Sequence, residues 1–549
     1  MSRKRSRKEI FKKTATKVKK IVKKPKIPTE VKKTKVIIPV ILIAGFILCL
    51  MLNAYFNFSS GVCINPEGTT VGTKYYLSGP DPYYNLRTIV ETIKNDGVYV
   101  YTTEVDPLLN YPIGNNGARP PLFNMIAVFS SSILEQIGVP QIDAIGLVVL
   151  FLPSIYGALL IFPVYLIGKE LFSEKVGVIS AILLPLIPVH IGSGHGSALS
   201  LFDHDSFILL LVTIMFFFII KMLKEQDKIK ACIYSIFAGI CLGSISLTWV
   251  ASHLLYIMLA IFVFVNLYFE FIKSTKSCFN SLKFVILFSI AFLLSLPYYL
   301  AINLLVYFPL IILLFSIVIL TIHYIILKKQ LPWLLSIPVN LGVFSLVILF
   351  LKWSYDGILP NGMGNKVIYQ IASVLFGGGL YASKVEMTIA EGSTYGLSAL
   401  GMLIGPSLLW LGLIGFVFLI YKTYMEKLKT EYTFYLLMFL ISFILLTQAG
   451  RFINDLVPFF AVLSSFTIVI ILSKCKYPNI LKEYTSDFKW YHITAIFGVF
   501  LTLIGPFVFI DNQSPLFSTI YLLIQTSCIL TFIPIIENYK NHTYIGSRE

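Results

Sequence analysis

The sequence is poor in charged residues for its length. Only 13% of its 549 residues are Asp, Glu, Lys or Arg, whereas 56% are hydrophobic, and the mean hydropathy is +0.80. This composition excludes an ordinary soluble enzyme. Apolar runs of about 20 residues, each long enough to cross a bilayer as a helix, recur along nearly the whole chain. We therefore expect an all-α polytopic membrane protein.

Cysteine is scarce as well, and its spacing indicates neither a disulfide framework nor a zinc site. The seven cysteines include no Cys-x-x-Cys pair. By the topology described below, only Cys63 lies in a soluble external segment. Frameworks of either kind need several cysteines on the same side of the membrane, so neither class of site is expected here.

Positive charge is concentrated at the N-terminus. Residues 1–35 hold sixteen Lys and Arg against Glu9 and Glu30, which is +14 of the net charge of +16. A basic run can bind nucleic acid, but this one stands directly before an apolar run, which is typical of a cytoplasmic tether to anionic lipid. We assign residues 1–35 to a basic cytoplasmic tail and expect membrane lipid, not nucleic acid, as its partner.

The apolar runs predict about 13–14 transmembrane helices. The fourteen segments expected to cross are about Val36–Phe56, Ala144–Ile167, Val176–Ile191, Phe207–Ile220, Ala231–Val250, Leu254–Phe271, Leu282–Ala301, Val306–Ile326, Leu334–Phe350, Leu397–Ile420, Phe434–Thr447, Phe459–Leu472, Ile493–Phe509 and Leu516–Ile535. With Pro121–Ile137 lying on the membrane surface, the Lys- and Arg-rich loops all fall inside. The N-terminus is then cytoplasmic, and residues 57–141 and 352–396 form two large external loops.

Five polar residues fall on the external face in this topology: Asp81, Asp203, Asp205, Glu391 and Arg451. Ionisable residues at membrane depth are candidates for function. Two carboxylates spaced as Asp203-His204-Asp205 can direct hard oxygen ligands at one divalent cation such as Mg²⁺ or Mn²⁺. The alternative is that both aspartates are solvated residues at the start of the next helix, where Asp is favoured.

Other motifs lie in the same predicted external segments. Residues 79–87 read Gly-Pro-Asp-Pro-Tyr-Tyr-Asn-Leu-Arg, residues 388–391 read Thr-Ile-Ala-Glu, and residues 450–452 read Gly-Arg-Phe. With the Asp-x-Asp pair, these four motifs in this order resemble the catalytic subunit of oligosaccharyltransferases, archaeal type. The resemblance covers roughly residues 36–511. It implies the multi-span fold of lipid-linked-sugar glycosyltransferases (GT-C type) for a transmembrane domain over 36–511.

The resemblance also implies roles for the motif residues. Asp81, Asp203 and Asp205 would ligate Mg²⁺ or Mn²⁺, which would hold the diphosphate of a polyprenyl (dolichyl) diphosphate oligosaccharide. Asp81 and Glu391 would bind the amide of an acceptor asparagine, so both count as catalytic. Arg451 would bind the lipid phosphate. Attack on the anomeric carbon would invert it.

Each of these residues also has a simpler interpretation. Asp81 before a proline can start a turn, and Arg451 at a helix end can extend to phosphate headgroups. Glu391 can be a solvated loop residue. His204, the other candidate for substrate binding, lies between two predicted ligands; an orientation away from the site is favoured over one that joins it.

One motif of the family has no counterpart. Family members carry a soluble C-terminal domain in which Trp-Trp-Asp-Tyr-Gly recognises the acceptor, whereas none of the five tryptophans here are adjacent. Residues 512–549 are predicted to form an extra transmembrane helix and a short cytoplasmic tail. Three explanations stay open: a separate chain supplies acceptor recognition, the acceptor differs, or the chain is not catalytic.

The predicted function is metal-dependent, inverting transfer of an oligosaccharide from a polyprenyl diphosphate carrier to asparagine of an acceptor protein on the external face of the plasma membrane. One alternative is a polyprenyl-phosphate-sugar transferase that acts on a glycan or cell-wall acceptor. The other is a non-catalytic transporter or accessory subunit for lipid-linked saccharide. The alternatives differ in whether the aspartates and a divalent ion are needed.

Overall fold

The structure is a computed structural model, and several parts of the chain are described by it. These are residues 29–59, 77, 79–99, 105–106, 108, 112–116, 119–192, 197–273, 277–302, 308–340, 342, 345 and 395–474. Glu391, the Gly377–Gly379 run, most of the second predicted external loop and the predicted spans after residue 474 lie outside the described residues.

The described residues are mainly helical. In chain order the helices are α1 (Thr29–Ser59), α2 (Pro80–Lys94), α3 (Leu122–Gln136), α4 (Gln141–Leu159), α5 (Ile161–Leu171), α6 (Glu174–Leu183), α7 (Pro188–Gly192), α8 (Asp205–Lys224), α9 (Lys228–Ser246), α10 (His253–Ile272), α11 (Phe279–Ala301), α12 (Phe308–Lys329), α13 (Leu397–Ile404), α14 (Pro406–Met425), α15 (Thr430–Gln448) and α16 (Ile453–Lys474). Strands β1 (Val105–Asp106) and β2 (Asn115–Asn116) pair antiparallel, with Val105 opposite Asn116.

Within the described residues, nine helical segments are long and apolar enough to cross a membrane. They are Gln141–Leu171, Asp205–Lys224, Lys228–Ser246, Val250–Ile272, Phe279–Ala301, Phe308–Lys329, Pro406–Met425, Thr430–Gln448 and Gly450–Ile471. A shorter apolar helix covers Ile38–Ala54. The prediction of an all-α polytopic membrane protein is confirmed.

Three predicted spans differ from the observed helices, each at a proline or a glycine. The span expected at Val176–Ile191 is broken, because a 3₁₀ turn at Leu184–Leu186 contains Pro185 and separates α6 from α7. The span expected at Leu397–Ile420 is divided at Gly405, whose φ of 94° favours glycine. The span expected at Phe459–Leu472 begins earlier, because α16 starts at Ile453 and contains Pro458.

The chain divides into two compact units, Met1–Ala44 and Gly45–Glu549. The second unit holds the helical bundle, whose closest helix pairs meet at small residues. A Cβ on Gly239 of α9 would lie 2.5 Å from the carbonyl oxygen of Leu287 on α11, and one on Gly415 of α14 would lie 2.2 Å from that of Leu463 on α16. Small residues that allow such close backbone approach are typical of helix packing in membranes.

The bundle has two chemically different ends. We name the end where α8 begins at Asp205 and α15 finishes at Gln448 the acidic end. The opposite end, where α8 finishes at Lys224 and α9 begins at Lys228, is named the basic end. A 20-residue helix such as α8 is about 30 Å long, which is the thickness of a bilayer's hydrocarbon core.

Candidate active site at the acidic end

The loop that leads into α8 is held by buried contacts. Ser200 has a left-handed φ of 68°, and its N–H donates to the carbonyl oxygen of Leu150 at 3.0 Å. The fully buried ring of Phe202 stacks on Phe123 with 4.5 Å between centroids. The Asn85 amide of α2 donates to the Phe202 carbonyl oxygen at 3.1 Å. Because three elements hold the loop, the residues that follow Phe202 have a fixed position.

Asp203, His204 and Asp205 form a compact cluster of possible metal donors. One ligand atom from each residue lies within 4.8 Å of the others. The His204 Nδ1 and an oxygen of Asp203 are 2.5 Å apart, so the imidazole joins the cluster, unlike the orientation favoured from the sequence. Burial lowers the pKa of His204, but the adjacent Asp203 and Asp205 carboxylates raise it by more, so the pKa lies above its ordinary value.

Arg451 reaches the same cluster from another part of the bundle. It lies in a 3₁₀ turn, Gly450–Phe452, between α15 and α16, and its Nη2 is 3.8 Å from Asp205 Oδ1. A small cavity of about 50 Å³ opens there, lined by Asp205, Arg451 and Asp455 among others. Asp455, in the first turn of α16, was missed by sequence reasoning.

Asp81 is held by a second arginine. It lies in the first turn of α2, after Gly79 with φ of 91°, and accepts a hydrogen bond of 2.8 Å from Arg119 Nη2. Arg119 also lies over the ring of Tyr84, 4.5 Å from its centroid. The other terminal nitrogen, Arg119 Nη1, is buried and has no hydrogen-bond partner in the described part of the chain. An arginine N–H without a partner favours binding of an anion.

The structure therefore brings together most of the site residues suggested by the sequence. Asp203, His204 and Asp205 form one group, and Arg451 contacts it through Asp205. Asp81 is not a member of that group and is paired with Arg119 instead. In the sequence, Arg119 differs from other arginines only by its place in an Arg-Pro-Pro segment.

The donor chemistry of the cluster fits a hard or borderline divalent cation. Two carboxylates supply the oxygen ligands that Mg²⁺ and Mn²⁺ prefer, and an imidazole is a ligand that transition metals accept. Asp203 and His204 are each 19% exposed, so a ligand can approach them from outside. Crowding of like charges is costly unless a cation compensates it.

Comparisons with known proteins identify the relatives of this chain. Residues 69–510 match the family model described as oligosaccharyl transferase STT3, N-terminal. The dolichyl-phosphooligosaccharide-protein glycotransferase 3 of Archaeoglobus fulgidus is 27% identical over 244 residues, which cover 43% of this chain and 27% of that protein. The dolichyl-monophosphooligosaccharide--protein glycotransferase AglB of Haloferax volcanii is 30% identical over 122 residues, 22% of this chain and 11% of that one.

The fold is similar to that of solved proteins. The archaeal oligosaccharyltransferase AglB from Archaeoglobus fulgidus, in complex with an inhibitory peptide and a dolichol-phosphate, superimposes with a TM-score of 0.66 at 22% identity over 88% of this chain. A complex of the Archaeoglobus fulgidus oligosaccharyltransferase with Zn and sulfate gives 0.57 at 22% identity, over 86% of this chain and 53% of that one.

The first of these superpositions covers 56% of the solved chain, so this chain spans about half the length of that relative. The shared part has the GT-C type membrane fold expected from the motifs. Because the family model matches more than half of the sequence, the chain belongs to the oligosaccharyl transferase STT3 family.

Proposed function

We propose that this chain transfers an oligosaccharide from a polyprenyl (dolichyl) diphosphate carrier to asparagine of an acceptor protein. The observation that carries the proposal is the cluster of Asp203, His204 and Asp205 at one end of a membrane bundle, with Arg451 3.8 Å from Asp205. Family membership and the names of the Archaeoglobus and Haloferax relatives, both protein glycotransferases, support the same reaction.

The metal is the finer part of the proposal. Asp203 and Asp205, with His204 beside them, would hold Mg²⁺ or Mn²⁺, and the cation would stabilise negative charge on the leaving phosphate. The solved relative that contains Zn and sulfate supports a divalent site in this fold. Asp81 lies outside this cluster and pairs with Arg119 through Oδ1, so it would complete the proposed ligand set through its other carboxylate oxygen after a shift towards the cluster.

Two arginines would bind the phosphate of the donor. Arg451 borders the small cavity beside Asp205, and Arg119 has a buried N–H group that lacks a partner among the described residues. Guanidinium groups bind phosphate oxygens through charge-assisted, often bidentate hydrogen bonds. We infer that the two side chains contact the same phosphate. Glu391 and Asp81 remain the proposed groups for the acceptor amide, with attack that inverts the anomeric carbon.

The form of the donor needs its own test. Our proposal is a diphosphate carrier, whereas the Haloferax relative is named for a monophosphate carrier. The same glycan on dolichyl monophosphate and on dolichyl diphosphate should be supplied to purified protein in parallel. Preference for the diphosphate would support our assignment, and preference for the monophosphate would correct it without affecting the reaction type.

The first experiment on the function is glycan transfer to an Asn-x-Thr peptide, scored by the mass of the glycopeptide. Purified protein and native lipid extract are incubated with Mn²⁺ or with EDTA, using wild type, Asp203→Ala and Glu391→Gln. Asp96→Asn is the matched control, because Asp96 is exposed, lies outside the cluster and has a φ of 53° that Asn tolerates. Activity that survives EDTA or Asp203→Ala would refute metal-dependent transfer.

Acceptor recognition is tested in the same assay. A membrane extract that restores transfer to an inactive purified chain would support a separate subunit as partner. No transfer under any condition would favour the non-catalytic alternative.

Orientation completes the proposal: the acidic end would be external, the N-terminus cytoplasmic, and the membrane the plasma membrane. Asp96→Cys and Lys329→Cys, each in a background without the natural cysteines, would be exposed to a membrane-impermeant maleimide on intact cells. We expect the maleimide to label position 96 and not position 329, because Lys329 is the last residue of α12, at the basic end of the bundle. The reverse pattern would invert the topology.

A further inference from the structure

A large cationic cavity lies at the basic end of the bundle, far from the candidate active site. Its volume is about 670 Å³. Six lysines line it: Lys224, Lys228, Lys273, Lys283, Lys427 and Lys429. Glu225 and Glu431 are the acidic residues of the lining, so its formal charge is +4. We name it the lysine cavity.

Lys283 is the unusual member of this set. Its side chain is only 2% exposed, although it sits in the first turns of α11. Its Nζ donates to the carbonyl oxygen of Met222 at 2.8 Å and lies 5.4 Å from the ring centroid of Phe279. No carboxylate among the described residues forms an ion pair with it. Glu270 and Glu431 attract this buried ammonium only from beyond ion-pair distance, so an anion bound in the cavity would stabilise it further.

Two other lysines of the cavity are similarly without an acidic partner in the described ranges, Lys228 and Lys427. The Nζ of Lys228 lies 6.0 Å from the centroid of the same Phe279 ring, on which Lys283 also rests. By contrast, Lys224 and Lys429 are paired with carboxylates, at 3.2 Å from Glu170 and 2.6 Å from Glu426. The paired lysines have a structural explanation that the unpaired ones lack.

The backbone of one wall is held in an unusual conformation. Lys427 and Leu428 both have a left-handed φ of 56°, which is costly for side chains other than glycine. The N–H of Leu428 donates to the Thr423 carbonyl oxygen at 2.8 Å, and Lys273 donates to the carbonyl oxygen of Leu428. These bonds fix the short connection between α14 and α15, and with it the position of Lys427 at the cavity.

We propose that the lysine cavity binds the phosphate headgroup of an anionic phospholipid. The cavity is bounded by the ends of membrane-spanning helices α8, α9, α10, α11 and α15, which is the depth at which lipid headgroups lie. Basic pockets between transmembrane helices bind anionic headgroups by charge complementarity. The volume is larger than a single phosphate needs, as expected for a headgroup with its glycerol.

The test compares variants that leave Lys283 in place, because its replacement can prevent folding. Purified full-length protein in a neutral detergent is titrated with phosphatidylglycerol or phosphatidylcholine and observed by native mass spectrometry. The test variant is Lys228→Gln with Lys427→Gln. The matched control is Lys328→Gln with Lys329→Gln, which removes the same charge from the same end but outside the cavity.

Wild type and control should retain phosphatidylglycerol in preference to phosphatidylcholine. The test variant should bind phosphatidylglycerol about 25-fold more weakly, since it lacks two lysines and each lysine near an anionic headgroup contributes about fivefold to binding. Equal binding of the neutral lipid, or an equal loss in the control, would overturn the proposal.

A second arm separates a lipid from free phosphate. Thermal unfolding is followed with inorganic phosphate or with chloride at the same ionic strength, with and without phosphatidylglycerol. We expect the lipid to raise the Tm of wild type and free phosphate to leave it unchanged. Inorganic phosphate that stabilises the protein as much as the lipid would assign the cavity to a soluble anion instead.

Discussion

The two ends of α8 differ in how their charges are compensated. At its first residue, Asp205 joins Asp203 and His204 in one cluster and has Arg451 at 3.8 Å. At its last turn, Lys221 and Lys224 both contact Glu170 at 3.2 Å, which compensates them locally. The acidic end thus places two aspartates beside one arginine and one imidazole, whereas the last turn of the same helix places two lysines on one glutamate.

Helix dipoles explain only part of this difference. Acidic residues are favoured in the first turn of a helix and basic residues in the last, so Asp205, Asp455 and Lys224 are each individually expected. Lys228 at the start of α9 and Lys429 before the start of α15 oppose the dipole. The excess positive charge at the basic end therefore needs another cause, which is either the orientation of the chain in the membrane or a bound anion. Substitutions at the two ends should differ in their effect on glycan transfer.

The largest effect is expected at the acidic end. Asp205→Asn and Asp227→Asn each replace one acidic residue at the start of neighbouring spans, α8 and α9, by its uncharged amide. Asp205→Asn removes a proposed metal ligand and should lower glycan transfer by about a hundredfold or more. Glycopeptide yield with Mn²⁺ titrated in measures it.

Asp227→Asn is the control, because the Asp227 side chain caps α9 at the basic end. Its transfer activity should equal that of wild type. If both variants lose activity to the same extent, the loss reports on folding and the acidic end has no special role.

A smaller effect should separate Arg87 and Arg119, which each pair with an aspartate. Arg119→Gln removes the partner of Asp81 and the buried N–H of the proposed phosphate site, and should lower transfer by about tenfold to a hundredfold through misplacement of the reacting groups. Arg87→Gln instead removes the arginine that pairs with buried Asp106, which should cost about 3 kcal/mol of stability.

Two readouts are needed to distinguish these arginine variants: transfer per folded molecule and Tm in detergent. We expect Arg119→Gln to change mainly the first and Arg87→Gln mainly the second. A Tm loss as large for Arg119→Gln as for Arg87→Gln would mean that Arg119 is a structural residue.

The sequence predicted most of the span positions, because membrane helices must satisfy their own backbone hydrogen bonds and so depend on local apolar length. It did not predict the helix breaks at Pro185 and Gly405, because an average hydropathy over a window is insensitive to a single residue. It placed Arg451 in the loop before a span that begins at Phe459, whereas the apolar helical segment begins at Gly450 and Arg451 lies in its first, 3₁₀ turn.

The pairing of site residues was harder to predict than their identity. Arg119 is 38 positions from Asp81, and no local rule connects them. Asp455 was missed because the predicted span began four residues after it, so it was treated as part of a loop. His204 joins the cluster because the loop held at Phe202 turns its ring towards Asp203, which depends on tertiary contacts.

The smallest expected effect tests how the acidic end is built, using two glycines that each precede a helix. Gly79, before α2, has φ of 91° and ψ of 171°, a region almost restricted to glycine, and Asp81 follows two residues later. Gly396, before α13, has φ of −68° and ψ of 164°, with no atom within 4 Å of an added Cβ. Gly79→Ala should therefore cost about 1–3 kcal/mol, and Gly396→Ala almost nothing.

Strain at position 79 should also affect function, because it lies directly before α2. Because α2 carries both Asp81 and the Asn85 amide that holds the loop before Asp203, Gly79→Ala should weaken the proposed Mn²⁺ binding as well as lower the Tm. The concentration of Mn²⁺ that gives half-maximal transfer should rise for Gly79→Ala and stay constant for Gly396→Ala. A lower Tm with an unchanged Mn²⁺ requirement would show that the start of α2 supports the fold but does not position the metal cluster.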